Sequence, residues 1–311
     1  MKIYITIDGG TTNTRISLVK DNEIIATDKY QIGARASIGD NSALKQTIKD
    51  GIKAILEKTG YNESDVISIL ASGMITSEYG LVKLDHITLP CSIKELKENM
   101  YYTSIPEITS IPFAFVRGVK SVGKTLENSD VMRGEEAELM GIMQEGTSCA
   151  YVLPGSHSKI IFTDEKGTIT SFSTLLTGEL IYAVASSTIL KDGVNLKETE
   201  IDYDYLKKGK DYCVEYGINE AFFKVRVLKN LFGATGKQCY SFFLGVALAQ
   251  EIERIIKANP PTVVIGGKKQ LKEATAYLLK ESSQSNVVAL TDNQVDASST
   301  LGVIKIYEFK A

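Results

Sequence analysis

An apolar, β-branched run that stops at an acid, two glycines and a cluster of hydroxyls constrains this chain more than any other feature. It reads Ile3-Tyr4-Ile5-Thr6-Ile7-Asp8-Gly9-Gly10-Thr11-Thr12-Asn13-Thr14-Arg15 and continues into Ile16-Ser17-Leu18-Val19. Such a pattern predicts a strand, a tight turn and a returning strand. Gly9 and Gly10 leave the backbone bare for close approach of a ligand. Thr11, Thr12 and Asn13 offer hydroxyl, amide and backbone N–H donors of the kind that hold phosphate oxygens. Asp8, at the strand end, is placed to hold Mg²⁺, because hard cations take oxygen ligands. An ordinary hairpin would use Gly and Asn only for positive φ; the Thr-Thr-Asn-x-Arg continuation favours phosphate binding.

The rest of the composition narrows the class. A chain of 311 residues suits two domains. A net charge of −3 gives no footprint for nucleic acid or an anionic membrane. Lys2 is followed at once by an amphipathic strand, so no secretory leader is expected, and no apolar run approaches the roughly 20 residues of a membrane span. Cys91, Cys149, Cys213 and Cys239 lack metal-ligand spacing and fit reduced cytosolic thiols. The expected setting is cytoplasmic, with small-molecule partners, no nucleic acid, no membrane, and a homodimer left open.

The order of elements appears twice. After the first hairpin come a third strand (23–30), a helix (41–59) with Leu44, Ile48, Ile52 and Ile55 on one face, and a strand (66–71) leading into Ser72-Gly73-Met74-Ile75. The stretch 103–124, holding Pro106 and Pro112, reads as irregular, with a crossover near 121–128. Then strands at 149–153, 158–163 and 168–173 are joined by Pro154-Gly155-Ser156-His157 and by Asp164-Glu165-Lys166-Gly167. Helices are expected over 178–190, 203–215, 219–232, 240–257, 269–280 and 300–309, with strands at 262–265 and 286–289. Each half begins with a three-stranded meander whose first turn is small and polar. That predicts two related α/β domains, 1–125 and 126–311, with a cleft across which two phosphate hairpins clamp a nucleotide triphosphate.

At this point a resemblance emerges. The chain resembles the actin/Hsp70/sugar-kinase ATPase superfamily, and within it the 2-dehydro-3-deoxygalactonokinase family. Carrying it are the first turn, Ser72-Gly73-Met74-Ile75-Thr76-Ser77 with Leu89-Pro90-Cys91, and Asp130-Val131-Met132-Arg133-Gly134-Glu135-Glu136. Leu153-Pro154-Gly155-Ser156-His157-Ser158-Lys159 and Thr177-Gly178-Glu179-Leu180 complete the set. The chain departs from the family pattern at Glu78-Tyr79, where an Arg-Gln pair is usual, at Leu81 for a tryptophan, and at Arg117-Gly118 for a Pro-Gly pair. The resemblance implies two ribonuclease-H-like (actin-like ATPase) domains, with the sugar acid on the N-terminal side and adenosine on the C-terminal side. The implied reaction is ATP plus 2-dehydro-3-deoxy-D-galactonate giving the 6-phosphate and ADP, with Mg²⁺. A same-fold kinase for 2-dehydro-3-deoxygluconate or another sugar acid, and a non-enzymatic nucleotide switch, are the alternatives.

Phosphoryl transfer needs clamps on the phosphates, a metal to offset charge, and a base near the acceptor hydroxyl. Glu135 and Glu136 follow Gly134 at the head of an apolar helical run, where helix-dipole stabilisation alone would account for one acid. In related sugar kinases the residue after the corresponding glycine is the base, which by resemblance selects Glu135, with Glu136 supporting. Arg15 and Lys159 are candidate phosphate cations, against solvated or ion-paired surface roles. Pro154, Gly155, Ser156, His157 and Ser158 form the second phosphate hairpin, with no acid–base role for His157. Gly266-Gly267 fits a strand-to-helix turn where a purine lies on bare backbone, or a routine βα turn. For the sugar acid the candidates are Arg35, Arg133 and the segment Gly73, Met74, Thr76 and Ser77; Arg133 could instead pair with its own acidic neighbours.

Overall fold

The opening segment forms the expected hairpin in the computed structural model, which describes residues 1–310. Strand β1 (Ile3–Gly9) pairs antiparallel with β2 (Thr14–Lys20), which pairs with β3 (Glu23–Tyr30). Helix α1 (Ser42–Thr59) follows, ending at Gly60, whose φ of 75° lets its N–H cap the Leu56 carbonyl. Strand β4 (Ser68–Gly73) then runs parallel to β1, with Asp8 opposite Ser72 and Gly9 opposite Gly73. Residues 3–7 of β1 are all buried, as a strand covered on both faces requires.

Beyond β4 lie β5 (Ile87–Thr88), α2 (Ile93–Glu98), β6 (Tyr101–Thr103), β7 (Phe113–Phe115), β8 (Val119–Ser121) and β9 (Asp130–Met132), before helix α3 (Glu135–Ile142). The stretch read as irregular therefore contains two strands. Pro112 hid β7: its carbonyl accepts from Ile69 N–H, and the buried, stacked rings of Phe113 and Phe115 continue the sheet beside β4. Strands β10 (Cys149–Leu153), β11 (Ser158–Thr163) and β12 (Ile169–Leu175) form the second meander. Then come α4 (Thr177–Ser187), α5 (Tyr203–Tyr216), α6 (Ile218–Phe232), α7 (Gly236–Ala258), β13 (Thr262–Ile265), α8 (Lys269–Ser282), β14 (Asn286–Ala289) and α9 (Asp292–Glu308).

The described residues divide into two compact units, 1–145 with 167–171 and 296–310, and 146–166 with 172–295. Residues 126–145, which the sequence order grouped with the second half, pack within the first unit because β9 pairs with β8. The C-terminal helix joins them there. In the first unit the main sheet runs β3-β2-β1-β4-β7-β6 and a small sheet runs β5-β8-β9; in the second, the order is β12-β11-β10-β13-β14. Each main sheet thus has a meander whose first strand pairs parallel with the next strand after a helical excursion. The first core holds Ile5, Ile7, Ile16, Leu18, Ile48, Ile52, Ile69, Phe113 and Phe115; the second holds Val152, Ile160, Phe243, Leu248, Ile252, Val263 and Ile265.

Close helix packing recurs in both units and depends on glycine. A Cβ on Gly302 of α9 would lie 1.8 Å from the Ala137 carbonyl oxygen, and one on Gly141 of α3 would lie 2.0 Å from that of Ser298. In the second unit a Cβ on Gly209 of α5 would lie 2.0 Å from the Phe242 carbonyl oxygen, and one on Gly245 of α7 would lie 2.0 Å from that of Leu206. Gly302→Ala should therefore separate α3 from α9 and destabilise the chain by about 1–3 kcal/mol in a denaturant titration, the cost of overpacking. Gly236→Ala, at a helix position with open space around it, is the control and should be neutral or slightly stabilising.

Candidate functional site

The first turn is built by tethering its carbonyls. Gly10 N–H donates to Asn13 O at 2.8 Å, Ala34 N–H to Gly10 O at 3.1 Å, and Arg35 N–H to Thr11 O at 2.9 Å. Among the described residues the one cis peptide bond is Leu89-Pro90, so each peptide of this turn has its N–H opposite its C=O. With the Gly10 and Thr11 carbonyls held by residues 34 and 35, the amides of Thr11 and Thr12 point the other way. Glycine at position 33 is needed for this, since a Cβ there would sit 2.5 Å from Gly10 O. The side chains of Thr11 and Thr12 are exposed, and Asn13 Nδ2 donates to Thr12 Oγ1 at 2.9 Å. Arg35 therefore stands, exposed, beside the phosphate-type turn.

Three strand ends meet next to this turn. Gly73, at φ +87°, would place a Cβ 2.5 Å from Gly9 O, and Gly134, at φ +113°, one 3.1 Å from Gly73 Cα. Asp8 lies opposite Arg15 in the hairpin register. Its Oδ2 accepts from Ser299 Oγ of α9 at 3.2 Å, and Arg15 Nη1 donates to the Asp296 carbonyl at 3.2 Å. Burial pushes the Asp8 carboxyl above its ordinary range; Arg15 and Ser299 oppose that, and the nearby Glu135 carboxylate adds to it. Asp8 and Glu135 are thus neighbouring acids that a cation would relieve.

The two glutamates after Gly134 have different surroundings. Both Glu136 oxygens accept from Gly134 N–H, at 2.8 Å each, and the side chain is fully buried. Glu135 Oε2 accepts from Arg133 N–H at 3.0 Å, and the residue is only partly buried. Glu136 serves the local backbone, while Glu135 remains the acid beside Asp8.

Arg133 takes the structural role left open in the sequence, with a different set of partners. Its Nη1 donates to Thr76 O at 2.8 Å and to Thr76 Oγ1 at 2.5 Å, and its Nη2 to Leu84 O at 3.0 Å, with His86 Nε2 3.2 Å away. Buried Thr76 in turn donates to Gly73 O at 3.0 Å. Arg133 and Thr76 shape the 73–77 segment from within, which leaves Met74 and Ser77 partly exposed. Burial first, then the Arg133 charge, holds His86 below its ordinary range, so the pair meets as a cation and a neutral ring.

The second turn repeats the construction. Gly178 N–H donates to Gly155 O at 3.1 Å, Glu179 N–H to Ser156 O at 3.3 Å, and Lys159 Nζ to His157 O at 2.9 Å. Three successive carbonyls are held, so the amides of Ser156, His157 and Ser158 point away from those donors. Lys159 is 3% exposed and works beneath the turn, not as a solvated surface cation. His157 Nε2 lies 3.1 Å from Glu179 Oε1, both exposed. Gly267, at φ +76°, would place a Cβ 2.4 Å from Pro154 O, so its bare backbone is occupied by the second turn; Gly266 N–H donates to Val152 O at 2.9 Å. Thr177-Gly178 carries no role that the linear sequence assigns. Its signal was the glycine: a Cβ at Gly178 would lie 2.4 Å from Gly155 O.

Residues 8–301 match the family described as 2-keto-3-deoxy-galactonokinase. The 2-dehydro-3-deoxygalactonokinase of Escherichia coli K12 is 26% identical over 255 residues, 80% of this chain and 79% of that protein. A solved Sinorhizobium meliloti structure, of a protein assigned as a 2-dehydro-3-deoxygalactonokinase, aligns at a TM-score of 0.80 and 21% identity, covering 98% of this chain and 100% of that one. The Clostridium difficile activator of 2-hydroxyisocaproyl-CoA dehydratase, solved with bound ADPNP, aligns at 0.52 and 12% identity, covering 98% and 95%. The fold is that of the actin-like ATPases and sugar kinases.

Burial and then Glu135 push Glu136 up to about 8, against the pull of the Gly134 amide and Arg133. The folded chain then keeps a proton at neutral pH that an unfolded glutamate has released. Stability should fall as pH rises from the ordinary value of 4.5 towards about 8 and level off above it. Glu136→Gln cannot ionise, so its Tm relative to wild type should rise progressively between pH 5 and pH 8. A difference that stays constant across that range sinks the assignment.

Proposed function

We propose that this chain, which belongs to the 2-keto-3-deoxy-galactonokinase family, transfers the γ-phosphoryl group of ATP to the 6-hydroxyl of 2-dehydro-3-deoxy-D-galactonate. The single observation that carries the reading is the pair of turns whose carbonyls are tethered inward and whose amides are aimed outward, one of them beside the acids Asp8 and Glu135. Outward amides in a glycine-rich turn are an anion-binding device and need no reorganisation when phosphate arrives.

Asp8 would hold Mg²⁺. One partly buried carboxylate beside a second acid suits an ion that takes one or two carboxylates and completes its shell with phosphate oxygens and water. Bound there, Mg²⁺ supplies positive charge to the transferring phosphoryl group. Arg15, across the hairpin from Asp8, contributes charge on the same side. Thr11, Thr12 and Asn13 in one unit and Gly155 to Ser158 in the other supply phosphate donors. The sugar acid is assigned to Gly73, Met74 and Ser77, with Arg35 as a cation near its charged end. The four cysteines, free in the structure, support a cytoplasmic setting.

Glu135 takes the proton from the acceptor hydroxyl. Phosphoryl transfer through a loose transition state depends chiefly on positioning and charge, and proton removal comes late. A general base is still typically worth on the order of 10²–10⁴ in rate. Glu135→Gln should lower kcat by that range with ATP KM little changed, and Glu136→Gln should cost distinctly less. The reverse order would make Glu136 the base. Asp8→Asn should remove most turnover while the fold persists by circular dichroism; near-normal kcat in the folded variant refutes the metal role.

The defining assay supplies ATP, Mg²⁺ and a panel of keto-deoxy sugar acids and follows ADP release. Turnover should require the sugar acid and favour 2-dehydro-3-deoxygalactonate over 2-dehydro-3-deoxygluconate. ADP release at the same rate without any sugar acid would support a nucleotide switch and overturn the kinase reading.

A further inference from the structure

Glu251 is a fully buried carboxylic acid in the middle of α7 to which no sequence motif assigns a role. Its Oε1 accepts from Thr177 Oγ1, at the first residue of α4, while its Oε2 has no hydrogen-bond partner among the described residues. Ser158, the last residue of the second turn, is also buried, and its hydroxyl interacts with Glu251. The Ser158 Oγ in turn accepts from Gly155 N–H at 3.3 Å. Burying a carboxyl there is costly unless hydrogen bonds offset its lost hydration.

We propose that Glu251 is a positioning residue for the phosphate turn of the second unit: held against Thr177 and Ser158, it fixes the first turn of α4, whose amides at Gly178 and Glu179 hold the Gly155 and Ser156 carbonyls and so aim the turn's outward amides. The inference rests on the reading that this turn binds phosphate. Burial raises the pKa of the Glu251 carboxyl, and the Thr177 and Ser158 hydroxyls oppose that rise. Glutamine keeps the shape of the side chain and an acceptor oxygen for the Thr177 hydroxyl. Leucine keeps the bulk and removes the hydrogen bonds.

The test uses the full chain and four variants: Glu251→Gln, Glu251→Leu, Thr177→Val, and the Leu/Val double variant. ADP binding is measured by calorimetry without sugar acid, and the KM and kcat of ATP with it. Losing one buried hydrogen bond and loosening the turn should cost about tenfold in affinity. Glu251→Leu and Thr177→Val should each weaken ADP and raise ATP KM about tenfold, with kcat and the sugar-acid KM within about threefold. The double variant should be no worse than about tenfold, since both changes break one link. Glu251→Gln should stay within about threefold of wild type. If Glu251→Leu does not fold, Thr177→Val carries the same expectation. Folded variants that lose Tm but bind ADP as wild type does overturn this inference alone. A wild-type chain that binds no ADP overturns the phosphate reading of the turn, and this inference with it.

Discussion

The site depends on where a few backbone carbonyls are sent. A peptide unit is rigid and trans, so holding its oxygen fixes the direction of the following N–H. In the first turn residues 34 and 35 hold the oxygens of Gly10 and Thr11; in the second, Gly178, Glu179 and Lys159 hold those of Gly155, Ser156 and His157. Neither turn needs a particular outward side chain to direct its amides. What each requires is a neighbour close enough to take the carbonyls, and glycine supplies the clearance at positions 33 and 178.

The same economy separates the two adjacent glutamates. Successive residues at a helix start point roughly 100° apart, so one of a pair turns inward when the next faces out. Glu136 is enclosed and holds the Gly134 amide with both oxygens, and Gly134 at positive φ brings the backbone against Gly73. Glu135 is left beside Asp8. Helix α3 is kept in place by its contact with α9 at Gly141 and Gly302. Helix α9 also supplies Ser299 to Asp8 and the Asp296 carbonyl to Arg15. A C-terminal helix thus positions an N-terminal site.

Much of this was legible in the linear chain because local chemistry dominates it. The Asp8-Gly9-Gly10 turn, the twin meanders and the Gly134-Glu135-Glu136 helix start follow from side-chain period, turn residues and glycine placement, all of which act within a few residues. Strands 262–265 and 286–289 fall where their short β-branched runs predict. Residues whose role is set by a partner distant in sequence are not legible in the linear chain. Pro112 looks like a breaker until β4 is beside it to use its carbonyl. Lys159 looks like a cation for the phosphates until the strand pairing buries it under His157, whose carbonyl it holds. Arg133 looks like a ligand for a carboxylate until Thr76, Leu84 and His86 surround its guanidinium.

The sequence by itself determined the class of the chain: a doubled α/β order, two glycine-rich polar turns and an acid pair at a helix start. Tertiary structure alone decided which of those groups face outward and which hold the frame, including the return of residues 296–310 to the first unit and the burial of Glu251 under Thr177. The physical reason is range. Turn and helix signals are set by φ and ψ preferences over a few residues, whereas burial, carbonyl tethering and carboxyl protonation depend on which distant backbone arrives alongside.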